Sequence, residues 1–359
     1  MAGSSVGALL RAAAVVVVAG RVGRILRARP ALDRARPGAV PSACTVVVPA
    51  RDEADRIRPL LAALRGAPGV VEVIVVDDRS TDETAEVAAA AGARVVRGSE
   101  PPSGWAGKTW ALHQGVDRAA TDWVVTMDAD VEPDPVLPAS LVGRAVDDGL
   151  DLVSVAGRAD VAPPTRWLHA AMVHQLVCRF GPPGTSTRLA NGQCTAARRD
   201  DLLAGLTAVR HHVVEDVALA RHLASIGGRV AFLDATDLLV VRPARSFTEL
   251  WWGWGRSLGL RGVEAPWRQV VDVAVVGLAV IVPPIRLLRR RADVIDVCAL
   301  ALRFGTLVGT RRAHAAGGVS YWSSPLADPF ALAATAVGLL RPSPMWRGRR
   351  PPVSRRRGR

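Results

Sequence analysis

From Cys44 onward, short β-branched runs alternate with helical segments, and that alternation constrains the fold more than any other feature of the chain. Cys44-Thr-Val-Val-Val-Pro49 reads as a buried strand. Ile57–Leu64 has helical spacing, and Val71-Glu-Val-Ile-Val-Val76 is a second strand that ends in Asp77 and Asp78. Ser80-Thr-Asp-Glu83 has the form of a capping box and predicts a helix over residues 82–91. Arg94–Val96 and Asp122–Met127 follow as third and fourth strands, the latter running into Asp128-Ala-Asp130. Beyond these the pattern predicts a strand at Leu152–Ala156, a helix near 165–179, a Gly/Pro/Ser/Thr-rich loop over 181–192 and a helix beginning near Glu215. Such an order predicts an α/β fold with a mostly parallel sheet flanked by helices on both faces. Ligands bind such sheets beyond the carboxyl ends of the strands. Two of those ends here carry paired carboxylates.

At 359 residues, with 49% hydrophobic and 22% charged content, the chain can bury a large core, which excludes disorder and small disulfide scaffolds. Its net charge of +13 would suggest nucleic acid if it were spread evenly. It is not. Residues 1–40 hold seven Arg against one Asp, and residues 286–359 hold fifteen Arg against three Asp. The stretch between keeps 24 basic and 29 acidic groups. Two arginine-rich ends around a mildly acidic middle suit an anionic membrane surface and argue against nucleic acid. Lys108 is the one lysine among 46 basic residues.

Four cysteines (Cys44, Cys178, Cys194, Cys298) are widely spaced with no CxxC pair, which fits a reducing compartment and neither zinc nor disulfides. Val6–Ala19 is an apolar stretch broken by Arg11 and followed by Arg21, Arg24, Arg27 and Arg29. It reads as a marginal membrane anchor with a cytoplasmic basic flank rather than a cleaved signal peptide. Later apolar stretches are Val273–Ile285, Val294–Thr310 (broken by Asp296 and Arg303) and Pro325–Leu340 (broken by Asp328). None reaches the roughly 18–20 apolar residues of a spanning helix, so interfacial, re-entrant or short tilted segments stay open.

Several constellations carry chemistry. Asp128-Ala-Asp130 at a strand end can grip a hard divalent cation, Mg²⁺ or Mn²⁺, together with phosphates, because such ions favour oxygen ligands. An acidic turn is the alternative. A carboxylate of Asp77-Asp78 at the second strand end can accept hydrogen bonds from a base or ribose; turn and cap chemistry is the alternative. Lys108 sits in Gly104-Trp-Ala-Gly-Lys-Thr109, but Pro102 stands where a phosphate loop needs glycine. A mobile ammonium facing a diphosphate is still consistent with the segment. Glu215-Asp216 opens a helix, where carboxylates suit the dipole, and either could also act as a general base. Residues 245–256 place three tryptophans within four positions and end in Arg256, which could meet a phosphate. His169, His174, His211, His212 and His222 show no ligand spacing.

Together these residues resemble an inverting family 2 glycosyltransferase with the GT-A fold. The matching pieces are Val-Val-Val-Pro-Ala-Arg-Asp-Glu53, Val-Val-Asp-Asp-Arg-Ser-Thr-Asp-Glu-Thr84, Asp-Ala-Asp130 and Val-Val-Glu-Asp216, in the family's order, within residues 43–260. Gly-Trp-Ala-Gly-Lys-Thr-Trp-Ala-Leu112, Trp-Ser-Ser-Pro-Leu-Ala-Asp-Pro329 and Trp-Arg-Gly348 resemble the membrane-associated branch near the carotenoid-acid and hopanoid-associated glycosyltransferases. The resemblance implies that Pro49, Arg51 and Glu53 line a nucleotide pocket and that Asp78 contacts uracil or ribose. It also implies Asp128 at the nucleotide–metal region, Asp130 on the metal and Asp216 as base. The family's Gln-x-x-Arg-Trp motif is absent; Leu-Trp-Trp-Gly-Trp-Gly-Arg-Ser stands in its place, with Arg256 as the stand-in, which argues against processive polysaccharide synthesis.

The expected organisation is an anchor and basic flank over 1–40, a GT-A domain over 41–262, membrane-associated helices over 263–345 and a basic tail over 346–359. The expected activity is metal-dependent transfer of one sugar from a nucleotide sugar, UDP-linked, to a lipid-like acceptor such as a carotenoid or other isoprenoid. The catalytic domain is expected on the cytoplasmic side of the cell membrane. A nucleotidyltransferase on a similar sheet and a non-catalytic membrane scaffold are the alternatives.

Overall fold

The computed structural model describes residues 2–23, 31–34, 42–181, 183–184, 189–244 and 246–340. Arg24, Arg27, Arg29, Arg245, part of the 181–192 loop, Trp346-Arg-Gly348 and the basic tail lie outside them. The described residues fall into two units: one within 30–158 and 183–242, the other within 1–29, 159–182 and 243–343.

The first unit is built on strands. In chain order the strands are β1 (Cys44–Ala50), β2 (Val70–Asp77), β3 (Arg94–Arg97), β4 (Trp123–Met127), β5 (Val131–Pro133), β6 (Leu152–Ala156), β7 (Arg158–Ala159), β8 (Cys194–Arg198), β9 (Val230–Asp234) and β10 (Leu239–Val241). Seven of them form one sheet of order β3-β2-β1-β4-β8-β6-β9. β1 pairs in parallel with β2 and β4, β2 with β3, and β6 with β9. β8 runs antiparallel between β4 and β6. β5 and β10 pair antiparallel outside this sheet. The mostly parallel α/β fold expected from the alternation is therefore present, with one antiparallel insertion.

β1 is buried at every position, which is why it reads as a continuous β-branched run rather than an alternating one. Pro49 lies opposite Val76 of β2 and beyond Val47, the last β1 residue paired with β4, so its missing N–H breaks no bond on that side. Helix Ile57–Leu64 buries Ile57, Leu60, Leu61 and Leu64, the i, i+3, i+4, i+7 stripe of an amphipathic helix. Helix Gly107–Asp117 lies hard against the sheet. A Cβ on Gly115 would fall 2.4 Å from Val47 Cγ1 and 2.8 Å from Val76 Cγ2.

The capping box at Ser80 does not form. The helix runs from Thr84 to Ala90, and no side chain caps it from Glu83. Ser80 Oγ instead accepts a bond from Asp52 N–H at 3.0 Å, and Asp82 accepts one from Thr84 N–H at 3.1 Å. Ser80 Oγ and one Asp82 oxygen are used across the strand ends, on Asp52 and Ala54 N–H, while the other Asp82 oxygen meets Thr84 at the start of the helix.

The second unit is helical: Ala2–Val22, Pro163–Phe180, Phe247–Leu258, Pro266–Val276, Val282–Leu288, Val294–Thr310 and Asp328–Leu340 are its longer helices. A π turn at Gly277–Ile281 joins Pro266–Val276 to Val282–Leu288. Ser5–Val22 and the joined Pro266–Leu288 are long and apolar enough, by length and composition, to cross a membrane. Counting uncharged residues cut the second short, because the helix runs through Asp272 and Arg286. Both are ion-paired, Asp272 to Arg21 at 2.9 Å and Arg286 to Asp296 at 2.8 Å.

Candidate active site

The chain leaves β1 for β2 and β3 on one side and returns to β4 on the other, so the strand order reverses at β1. In such sheets the crevice beyond the carboxyl ends at the reversal is the ligand site. Ala50, Asp77 and Met127 end β1, β2 and β4 at this edge. β8 is antiparallel, with Cys194 opposite Met127, so its entry loop reaches the same edge. Residues Asn191–Gln193 therefore join a site otherwise made from strand exits.

One side of the crevice is formed by the loop after β1. Asp52 has a left-handed φ of 54° and holds the loop to the segment after β2. Its carboxylate accepts from Thr81 N–H at 2.7 Å, while Glu53 N–H donates to Thr84 Oγ1 at 2.9 Å and Ala54 N–H to Asp82 at 3.1 Å. Asp78 is fully buried, and its N–H donates to Ala50 O at 2.8 Å. Arg51 Nη1 lies 3.8 Å from Asp78 Oδ2. A Cβ on Gly98 would lie 3.3 Å from the Asp78 Cα, so a close approach keeps this wall narrow.

The other side carries most of the charge. Lys108, in the first turn of helix Gly107–Asp117, reaches Asp128 Oδ1 at 2.7 Å and Glu215 Oε1 at 2.8 Å. Asp216 Oδ2 accepts from Gly192 N–H at 2.8 Å, and Oδ1 accepts from Val217 N–H at 2.8 Å. Gly192 sits among these groups. A Cβ there would lie 3.1 Å from Lys108 Nζ and 3.4 Å from both Asp216 Oδ2 and Glu215 Oε1. A small cavity lies alongside, lined by Leu112, Thr126, Thr195 and Leu219 with Glu215 and Asp216.

The electrostatics follow from this crowding. Burial opposes the charge of Lys108, but Asp128, Glu215 and Asp216 outweigh it and hold the ammonium protonated. Burial and the Glu215 carboxylate push Asp216 up from the ordinary carboxylate range, against Lys108 and the two backbone N–H groups. Burial, then Asp128 and Glu53, push Asp130 up in the same sense, with Arg56 and Lys108 opposing. A carboxylate so disfavoured in its charged form is a place where added positive charge is welcome. The donors near Asp130 are carboxylate oxygens, which suit Mg²⁺ or Mn²⁺. Among the described residues no three or more metal-ligating side chains converge.

The structure gathers Lys108, Asp128 and Asp216, and it places Arg51 against Asp78. Arg256 belongs to the chain's other unit, on helix Phe247–Leu258. Sequence reasoning missed Gly192 and its neighbours. Asn191 O accepts from Ser154 Oγ at 2.9 Å and Asn191 N–H returns a bond at 2.7 Å, fixing the loop that presents Gly192. A glycine between two amides at a strand entrance was the available signal.

This sheet, with carboxylates gathered where its strand order reverses, has the architecture of the GT-A class. A mannosyltransferase from Pyrobaculum calidifontis, solved with GDP-Man and Mn²⁺, shares the fold at a TM-score of 0.57 and 19% identity, over 92% of this chain and 99% of that one. Residues 45–202 match the family described as glycosyl transferase family 2. The chain also resembles the carotenoid-acid enzymes. It is 31% identical over 202 residues to the 4,4'-diaponeurosporenoate glycosyltransferase of Staphylococcus haemolyticus (strain JCSC1435), covering 53% of each chain. It is 46% identical over 90 residues to the enzyme of that name from Staphylococcus aureus (strain USA300), covering 25% of this chain and 24% of that one. The chain thus spans about half the length of the first relative and about a quarter of the second.

Proposed function

We propose that the chain moves a single sugar from a nucleotide sugar, UDP-linked, to a lipid-like acceptor such as a carotenoid or other isoprenoid, with inversion at the anomeric carbon. The observation that carries this reading is the convergence of Lys108, Asp128, Glu215 and Asp216 on one edge of the sheet. Pro49, Arg51, Glu53 and Asp78 supply the nucleotide wall, with Asp78 set for uracil or ribose. Asp128 and Lys108 face the diphosphate, and Asp130 would hold Mg²⁺ or Mn²⁺. The role of Arg256 toward the diphosphate rests on the resemblance alone. The metal, when bound, would offset the negative charge that develops on the departing diphosphate.

Asp216 is the base. Its raised affinity for protons suits it to take the acceptor's hydroxyl proton as that oxygen attacks the anomeric carbon. The bond from the anomeric carbon to the diphosphate oxygen breaks, its electrons leave with UDP, and Lys108 adds a fixed positive charge near the same oxygens. One base and no covalent intermediate give inversion. A carboxylate acceptor is already ionised at neutral pH and would need the base less. The apolar helices and flanking arginines support a place on the cytoplasmic face of the cell membrane.

Asp216→Asn tests the assignment. Transfer to a hydroxyl acceptor should fall by about 10²–10⁴-fold while UDP binding, followed by titration calorimetry with Mn²⁺, stays unchanged. Retained transfer would remove Asp216 from the role. Free UDP as the released product supports glycosyl transfer; pyrophosphate would support a nucleotidyltransferase.

A further inference from the structure

Helix Val294–Thr310 is built inside out. Its exposed positions are all apolar or small, led by Val294, Val297, Phe304 and Val308, each more than half exposed. Its charged residues face the other way: Asp296 is fully buried and Arg303 nearly so, together with Thr306 and Thr310. A helix in water does the reverse, burying its apolar stripe and presenting its charges.

Both buried charges are neutralised within the helical unit. Asp296 accepts from Arg11 Nη1 at 2.6 Å and from Arg286 Nε at 2.8 Å. Arg303 grips Asp328 with two bonds, Nε to Oδ2 at 2.8 Å and Nη2 to Oδ1 at 3.0 Å. Their partners sit on helices with the same inversion. Helix Ala2–Val22 buries Arg11 while Leu9 and Val16 are each 70% exposed, and helix Asp328–Leu340 buries Asp328 while Phe330 and Leu340 are exposed. Arg289, Arg290 and Arg291 are exposed before Val294–Thr310, and Arg312 is exposed after it. The 17-residue helix is about 25 Å long at 1.5 Å per residue. Arginines reaching outward from both ends bring it close to the roughly 30 Å of a bilayer's hydrocarbon core.

We propose that lipid acyl chains cover this face, making Val294–Thr310 a membrane-embedded helix with its terminal arginines at anionic headgroups. Charged residues in membrane helices turn to the bundle interior and pair there, as Asp296 and Arg303 do. A count of uncharged runs breaks the helix at Asp296 and Arg303, because it treats those two charges as if they faced lipid. The inference does not depend on the transferase reading.

Cys298 lies exposed on this face, while Cys44, Cys178 and Cys194 are buried, so a thiol-reactive nitroxide reports on the helix in the unaltered chain. The full-length protein is labelled and reconstituted into phosphatidylcholine–phosphatidylglycerol vesicles. Spin relaxation is then read with oxygen, which concentrates in hydrocarbon, and with a water-soluble nickel chelate. The label should respond to oxygen and lose its response to nickel. A label at Val71→Cys in a Cys298→Ala chain, on a strand residue 64% exposed in the sheet unit, should respond to nickel. Nickel relaxation at Cys298 equal to that at position 71 would overturn the proposal. So would relaxation by neither agent, the result of a second protein copy packed on the face.

Discussion

The two units handle buried charge in opposite ways. In the helical unit two clusters match, Arg11 and Arg286 with Asp293 and Asp296, and Arg303 with Asp328, while Arg21 and Arg179 share Asp272. At the sheet edge the charges do not match. Asp128, Asp130, Glu215, Asp216 and Glu53 crowd around Lys108 and Arg56, and both Asp130 and Asp216 hold protons more tightly than ordinary carboxylates. A matched set has satisfied itself and serves to hold helices in one arrangement. An unmatched set keeps an electrostatic demand that a substrate, a cation or a transferred proton can meet. The same residue types thus form paired clusters in one unit and an unmatched cluster in the other, and counting partners separates the two.

Breaking a matched pair should give the largest effect on stability. Arg303→Met strands the Asp328 carboxylate in the helical interior, which costs about 3–5 kcal/mol when a buried pair loses one partner. Thermal unfolding of the nanodisc-embedded protein should show the loss, and Arg303→Met with Asp328→Leu should recover most of it. A double variant as unstable as the single one would mean that the pair is doing more than neutralising itself.

That contrast was only half legible in the chain. The carboxylates at the ends of β2 and β4 could be read directly, because β-branched runs stop where Asp77 and Asp128 begin. Leu152–Ala156 and Ile57–Leu64 were also read to the residue, since each carries a strong pattern of its own. β8 was not. Cys194-Thr-Ala-Ala-Arg198 has no apolar alternation and becomes a strand only by filling the gap between β4 and β6. With β8 unseen, nothing indicated that Gly192 would reach Asp216 from 24 positions away. The helical unit hid its logic for a similar reason. Arg11 and Asp296 are 285 residues apart, so each looks like a flaw in its own apolar segment until the fold joins them. Local periodicity reports strands and amphipathic helices; it cannot report partners supplied by tertiary structure.

Lys108→Met sharpens the comparison from the other side. Lys108 favours the ionised form of Asp216, so removing it pushes the Asp216 pKa higher still. As the proposed base, Asp216 must be ionised to accept a proton, so the acid limb of the pH–kcat profile should move to higher pH. A shift of about one unit corresponds to ~1.4 kcal/mol. Lys108→Arg keeps the charge and should restore the limb in part. If Lys108 acts only by gripping the diphosphate, the variant will raise the donor KM and leave the acid limb where it was.

Gly192→Ala should give the smallest effect and the finest test. The added methyl would press on the far end of Lys108 at 3.1 Å and lie in ordinary contact, 3.4 Å, with Asp216 Oδ2 and Glu215 Oε1. Lys108 is a flexible chain and can yield a few tenths of an ångström, so the fold should keep its melting temperature. The unmatched cluster cannot yield without changing the spacing between its cation and its base. A loss of about 0.5–1 kcal/mol of transition-state stabilisation, roughly two- to fivefold in kcat/KM, is the expected outcome. An unchanged kcat/KM would show that the cluster tolerates looser spacing than its hydrogen bonds suggest. A fall in melting temperature as large as that of Arg303→Met would place Gly192 with the scaffold rather than with the site.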